Sequence, residues 1–324
     1  MASMKYKNVY IESYSTIVGP YEKNGAIKKY DMTFDDLDFN TKHFEEAEVK
    51  MQQFVFDASL EKGMIPINKV DLVIGGDLMN QLTTSTRAMK KYSLPFLGVY
   101  SACATFTESL LLASSLIDSK KIKKCVCITS SHNLTSERQF RYPIEYGSPK
   151  VGSTTFTITG SASVVLSNKV SRIMVESATI GRIVDYGIKD VSNMGAVMAP
   201  SALATINEHL KDMNRDIDYY DVILTGDLGK VGSKILNELY KFENGKPLKN
   251  HVDAGTQVYT EEQKLFSGAS GPAVLPLVLF AKILESKKYK KILIVGTGSL
   301  HSQTLVNQKS TIPAISHAVS LEVI

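Results

Sequence analysis

Cysteine is scarce in this chain. Three in 324 residues form an odd set, too small for a disulfide framework, and favour a reducing compartment. Charge is thin as well. A formal net charge of +4 is spread along the chain, and Lys and Arg gather only in short runs ahead of two predicted strands, so no nucleic-acid partner is expected. No apolar run reaches membrane-spanning length. The longest, 272–283, is broken by Pro276 and Lys282 and reads as a buried helix. The opening Met-Ala-Ser-Met-Lys-Tyr-Lys has no apolar h-region, so no signal peptide is expected. Neither GxGxxG nor a P-loop occurs, and Gly75-Gly76 and Gly296-Thr297-Gly298 are too short to cradle phosphate. What remains, 44% hydrophobic and 22% charged, is the composition of a soluble globular protein of one large or two ordinary domains.

What the chain does have is a repeat. Ser119-Lys-Lys-Ile-Lys-Lys124 returns as Ser286-Lys-Lys-Tyr-Lys-Lys291, and Asp71-Leu-Val-Ile-Gly-Gly-Asp77-Leu78 returns as Asp221-Val-Ile-Leu-Thr-Gly-Asp227-Leu228. The same elements in the same order indicate two copies of one α/β unit, 1–170 and 171–324. In the first copy the spacing predicts helices over 44–62 and 106–118 and strands over 72–74, 96–100, 125–129 and 154–166. The second copy repeats this with a helix over 198–213 and strands over 222–224 and 292–295. Apolar strands alternating with helices predict a parallel sheet covered on both faces. The second copy carries extra residues, assigned to a polar loop over 237–262 that contains Asn244-Gly245 and Pro247.

Register places Cys103 opposite Ser270, each at a strand-to-helix junction among small neighbours. A thiol in the first turn of a helix sits at the positive end of the macrodipole, which favours thiolate and makes Cys103 a nucleophile or an anion-site residue. The competing reading is a small buried residue at a crowded junction. Ser131 and His132 follow a strand end, where open α/β sheets bind ligands; His132 is also a candidate base. His301, after the Gly296–Ser299 turn, reads as exposed. Cys125 and Cys127 read as core packing, and no metal site or cofactor is expected. The run 137–146 interleaves Arg138 and Arg141 with Phe140 and Tyr142. It suits either a packed surface loop or a clamp in which an Arg fork takes a carboxylate and an aromatic stacks on a flat ring. Asp77 and Asp227 read as turn formers, with calcium ligation the alternative.

The duplication and the junction cysteine resemble the thiolase fold, shared by thiolases and ketoacyl-carrier-protein synthases. Thr159-Gly-Ser-Ala-Ser163 and Gly268-Ala-Ser-Gly271 resemble small-residue turns of that group. Its catalytic partners are missing: the motif histidine falls on Leu265, no Cys-x-Gly lies near Gly296–Gly298, and the histidine turn of the ketosynthases corresponds to Gly226-Asp-Leu-Gly229. Closer still, Gly76-Asp-Leu-Met-Asn-Gln81, Ser101-Ala-Cys103, Ser130-Ser-His-Asn133 and Gln139-Phe-Arg-Tyr-Pro-Ile-Glu-Tyr-Gly147 resemble the stage V sporulation protein AD family of endospore formers. The resemblance implies a thiolase-like five-layer αβαβα sandwich and a non-catalytic protein. Its ligand would be dipicolinic acid, alone or with calcium, taken up into the developing spore together with membrane proteins of the same operon. It also implies a soluble protein peripheral to the cytoplasmic side of the forespore inner membrane, and a homodimer, as thiolase-fold enzymes commonly form. The expected ligand contacts are Cys103, Ser131, His132, Arg138, Arg141, Tyr142 and Ser270. The alternative is an acyltransferase working through Cys103.

Overall fold

The computed structural model describes residues 2–140 and 150–324. Each copy supplies five main strands. The first gives β1 (Tyr10–Val18), β2 (Leu72–Gly76), β3 (Phe96–Gly98), β4 (Lys124–Ser131) and β5 (Gly160–Ser167). The second gives β6 (Ile173–Thr179), β7 (Val222–Thr225), β8 (His251–Asp253), β9 (Lys291–Ser299) and β10 (Ala314–Val323). Their orders are β3-β2-β4-β5-β1 and β8-β7-β9-β10-β6, one pattern used twice. The halves join where Tyr10 and Ile11 of β1 pair with β6.

The sheets are mixed rather than parallel as expected. β2, β3 and β4 run parallel, but β5 is antiparallel to both β4 and β1, and the second half repeats this. Both faces of each sheet are covered, so an antiparallel strand here is as apolar as a parallel one and sequence does not distinguish them.

The main helices are α1 (Phe44–Lys62), α2 (Thr83–Met89), α3 (Thr105–Asp118), α4 (Asn133–Phe140), α5 (Met194–Met213), α6 (Gly229–Asn244) and α7 (Val274–Val278), which continues as π turns to Ile283. α1 packs on β1 and β5, and α5 on β9 and β10, as outer layers. α3 lies between the sheets and touches β2 and β4 of its own half and β9 and β10 of the other. α7 runs beside it, with Phe106 and Phe280 edge to face at 6.1 Å and Tyr14 stacked on Phe280 at 4.3 Å. The result is the five-layer sandwich.

The repeats build the same joint twice. Asp71 Oδ2 accepts the backbone N–H groups of Lys123 and Lys124 at 2.8 and 2.9 Å; Asp221 Oδ2 accepts those of Lys290 and Lys291 at 2.7 and 2.8 Å. Each clip fixes the loop that leads from a central helix into β4 or β9. Asp71→Ala and Asp221→Ala should each cost about 1 kcal/mol, as the loss of a helix-capping carboxylate does, and by nearly equal amounts in urea melts.

The expected loop over 237–262 is corrected. Residues 237–244 complete α6, whose inner face carries Leu236 and Tyr240, and Gly245 caps it in the left-handed region at φ 70. His251–Asp253 is β8, the counterpart of β3. The polar outer face of α6 had masked its period. The predicted strand 154–166 is also divided, into Phe156–Thr157 and β5, with Gly160–Ser163 inside β5 rather than in a turn.

Candidate functional site

Phe156–Thr157 pairs with Ala269–Ser270, a two-stranded link between the copies beside Cys103. Cys103 precedes the first turn of α3. Its neighbour Ala102 is held left-handed at φ 49, in a sharp elbow tied by Ala104 N–H to Ser101 O (2.9 Å) and Thr105 Oγ1 to Ala102 O (2.7 Å). Two glycines make room for it. A Cβ at Gly298 would stand 2.2 Å from Ser101 O; Gly271, at φ 115, packs against Ser131. The chain therefore keeps a strained junction that presents the thiol to a cavity.

Under the thiol stands Asp227, fully buried at the end of β7. Its carboxylate takes the Gly271 N–H (2.9 Å), the Thr297 hydroxyl (2.9 Å) and the Cys103 thiol. Burial, and after it the adjacent Asp227 charge and hydrogen bond, push the Cys103 thiol well above its usual range. The thiolate expected from the helix dipole is thus overturned. Burial first, and then a full negative charge beside the sulfur, outweigh a partial positive charge at a helix end. Burial also pushes Asp227 up to about 6. Behind it Asp253 accepts from Thr225 and from the Leu228 and Gly229 N–H groups, and burial takes it to about 7. Asp227 occupies the turn where the ketosynthase histidine was sought.

The inner cavity is narrow, about 40 Å³, walled by Cys103, Ser270, Tyr100, Phe140, Met194 and His301 among others. Tyr100, Phe140 and His301 also line an outer vestibule of about 350 Å³, whose remaining wall carries the amides of Asn80, Gln81, Gln139 and Gln303. The His301 ring lies 5.4 Å from that of Phe140. Among the described lining residues there is no lysine or arginine, and Glu137 is at the inner wall.

The structure brings Cys103 and Ser270 together, as the repeat register required. Ser131 and His132 stand outside both cavity walls. The Ser131 hydroxyl donates to Ile158 O at 2.8 Å. His132 donates from Nε2 to Leu37 O (2.8 Å), accepts the Leu134 N–H at Nδ1 (3.2 Å) and stacks near Phe44; burial lowers its pKa. With both nitrogens engaged it is a poor base. Arg138 turns outward to Glu45 at 2.8 Å. Arg141 and Tyr142 lie outside the described residues. His301, expected to be exposed, is 9% exposed and forms the shared wall. Asp77 accepts from Met79 N–H and from both donors of Ser85, a turn-forming role. Among the described residues no cluster of three or more His, Cys, Asp or Glu could hold a metal ion. Sequence reasoning missed Tyr100 and Met194, for which no local signal exists.

Ten strands in twice-repeated order, central helices shared by both sheets and a cysteine elbow at the copy interface define a thiolase-like protein. Solved structures agree on the fold. 3-Oxoacyl-[acyl-carrier-protein] synthase III from Aquifex aeolicus VF5 matches with TM-score 0.62 and 15% identity over 97% of this chain and 99% of that one. A Xanthomonas campestris OleA variant matches with TM-score 0.64 and 14% identity over 98% and 99%. At the finer level, the model of the family described as stage V sporulation protein AD matches residues 2–322. The protein of that name from Bacillus subtilis (strain 168) is 41% identical over 319 residues, 97% of this chain and 94% of the relative. The chain belongs to the stage V sporulation protein AD family.

Proposed function

We propose that this sporulation protein binds dipicolinic acid (pyridine-2,6-dicarboxylate) without chemically changing it. It takes part in the acid's uptake into the developing endospore, peripheral to the cytoplasmic side of the forespore inner membrane, with membrane proteins of the same operon. The observation that carries the non-catalytic part is the buried Cys103–Asp227 contact: burial, and after it the Asp227 carboxylate, oppose the thiolate that an acyl-transfer enzyme needs. The inner cavity is too small for the ligand, so the vestibule holds it. There Tyr100 and Phe140 offer flat faces and the amides offer hydrogen bonds to carboxylates. The chain runs directly from Phe140 into Arg141 and Tyr142. No cation stands among the described lining residues, so calcium carried by the ligand would balance its charge there.

Calorimetry with dipicolinate, run with and without calcium, tests this. Phe140→Ala should weaken binding by roughly ten-fold, while Cys103→Ser leaves it unchanged. No heat up to millimolar ligand would leave only a scaffold. The retained left-handed elbow at Ala102 favours acyl transfer as the second reading. A covalent adduct on Cys103 after incubation with acyl-coenzyme A, read by intact-protein mass spectrometry, would establish that reading over the first.

A further inference from the structure

Both lysine repeats open at one end of the molecule. Register partners run across the two sheets in a single row, Lys124–Ser167–Tyr10–Met174–Glu322–Lys291. Lys120, Lys121 and Lys123 on one loop, and Lys287, Lys288 and Lys290 on the other, are exposed; among the described residues none of the six is in an ion pair. Most acids at this end are engaged elsewhere, exposed Asp218 ahead of β7 being the exception. Asp71, Asp118 and Asp221 hold backbone N–H groups, Glu322 holds Lys291, and Glu285 reaches Lys29. Glu12 holds Lys124 and Lys169 and also lines a groove of about 390 Å³ with Arg172, Lys287 and Lys290, so both loops belong to one surface. The turn between β5 and β6 projects Val170, 73% exposed, between Lys169 and Arg172. The scattered charge read from sequence is therefore corrected: the two runs converge.

The geometry points to this end as a docking face for an anionic phospholipid bilayer. Unpaired lysines attract acidic headgroups at about 1 kcal/mol each, which is roughly five-fold in partition per lysine, and an apolar side chain between cations enters the interface. Cys103 is at the opposite end of α3, roughly 20 Å from Lys120, so docking turns the ligand mouth away from the lipid. The proposal rests on the peripheral placement proposed above, and not on dipicolinate being the ligand.

The test is flotation of the whole protein with vesicles of phosphatidylcholine, with or without phosphatidylglycerol. The protein should float only with the phosphatidylglycerol vesicles and be released by high salt. The variant Lys120→Gln/Lys121→Gln/Lys287→Gln/Lys288→Gln should lose on the order of several hundred-fold in partition. A control with Lys42, Lys189, Lys264 and Lys309 changed to glutamine makes the same charge change at the other end and should keep it. Melting curves and dipicolinate calorimetry on both variants show whether they are folded and what they bind. Equal flotation of the two variants overturns the proposal. So does indifference to phosphatidylglycerol, which would leave an acidic protein surface as the partner. Vesicle binding without dipicolinate binding would sink only the earlier reading.

Discussion

Asp227→Asn turns Cys103 from an inert thiol into a reactive one. In the native site the carboxylate accepts the thiol proton, so ionising the sulfur places two negative charges in contact. An asparagine removes one charge, and its Nδ2–H can donate to the sulfur, which stabilises thiolate where aspartate opposed it. The Gly271 N–H and the Thr297 hydroxyl donate to different carboxylate oxygens, so asparagine keeps the acceptor of only one of them, and a melting curve of the variant accompanies the rate. Alkylation by iodoacetamide at pH 8, followed by mass spectrometry, should accelerate roughly ten-fold or more. The inflection of the pH–rate profile should move down. Cys125 and Cys127, sealed in β4, are internal controls that should not react in either protein. An unchanged rate and inflection would show that burial alone sets the thiol and that Asp227 has no part in keeping it protonated.

The protein should be more stable at pH 6 than at pH 8, the reverse of what ion-pair counting suggests. Below pH 6 the buried histidines His209, His251 and His317, each lowered by burial to about 4, cost stability as pH falls and oppose the trend. Four fully buried acids are pushed up by burial: Asp227 to about 6, Asp253 and Glu22 to about 7, and Glu48 to about 8. Each binds its proton more tightly folded than unfolded. The stability this gives is complete below pH 4 and is lost as pH rises through the folded values, between about 4 and about 8. The expected loss is on the order of several kcal/mol. Glu12 and Glu176, although burial opposes it, are held below their usual range by Lys124 and Arg215, and their contribution disappears only at more acid pH. Urea melts across pH 4–9 check this. Glu48→Gln, which keeps the Ser130 and Thr135 hydroxyls in reach, should flatten the upper part of the curve. A midpoint that rises from pH 6 to pH 8, where the histidines contribute less, would show that these acids ionise freely in the fold.

Much of the architecture could be read from residue spacing. Helix 44–62 was legible to the residue because its period is clean and Gly63 follows it. The pairing of Cys103 with Ser270 was legible because a repeat offset carries three-dimensional information. The mixed direction of the sheets was not, since a strand buried on both faces looks the same either way. Nor was His301, whose burial depends on α4 coming from the other copy. The state of Cys103 was misread for a related reason. The helix end lies next to it in sequence, while the stronger influences, burial between the copies and then Asp227 of the second copy, are distant in sequence.

The placement of α3 also bears on how the chain is made. A ribosome completes the first five strands while one side of α3 still faces water, because β9 and β10 are not yet synthesised. The nascent half holds a sticky apolar helix for as long as the remaining residues take to emerge, a matter of seconds. The two copies share one core and cannot mature as separate modules. Any chaperone that attends this protein has its natural target there.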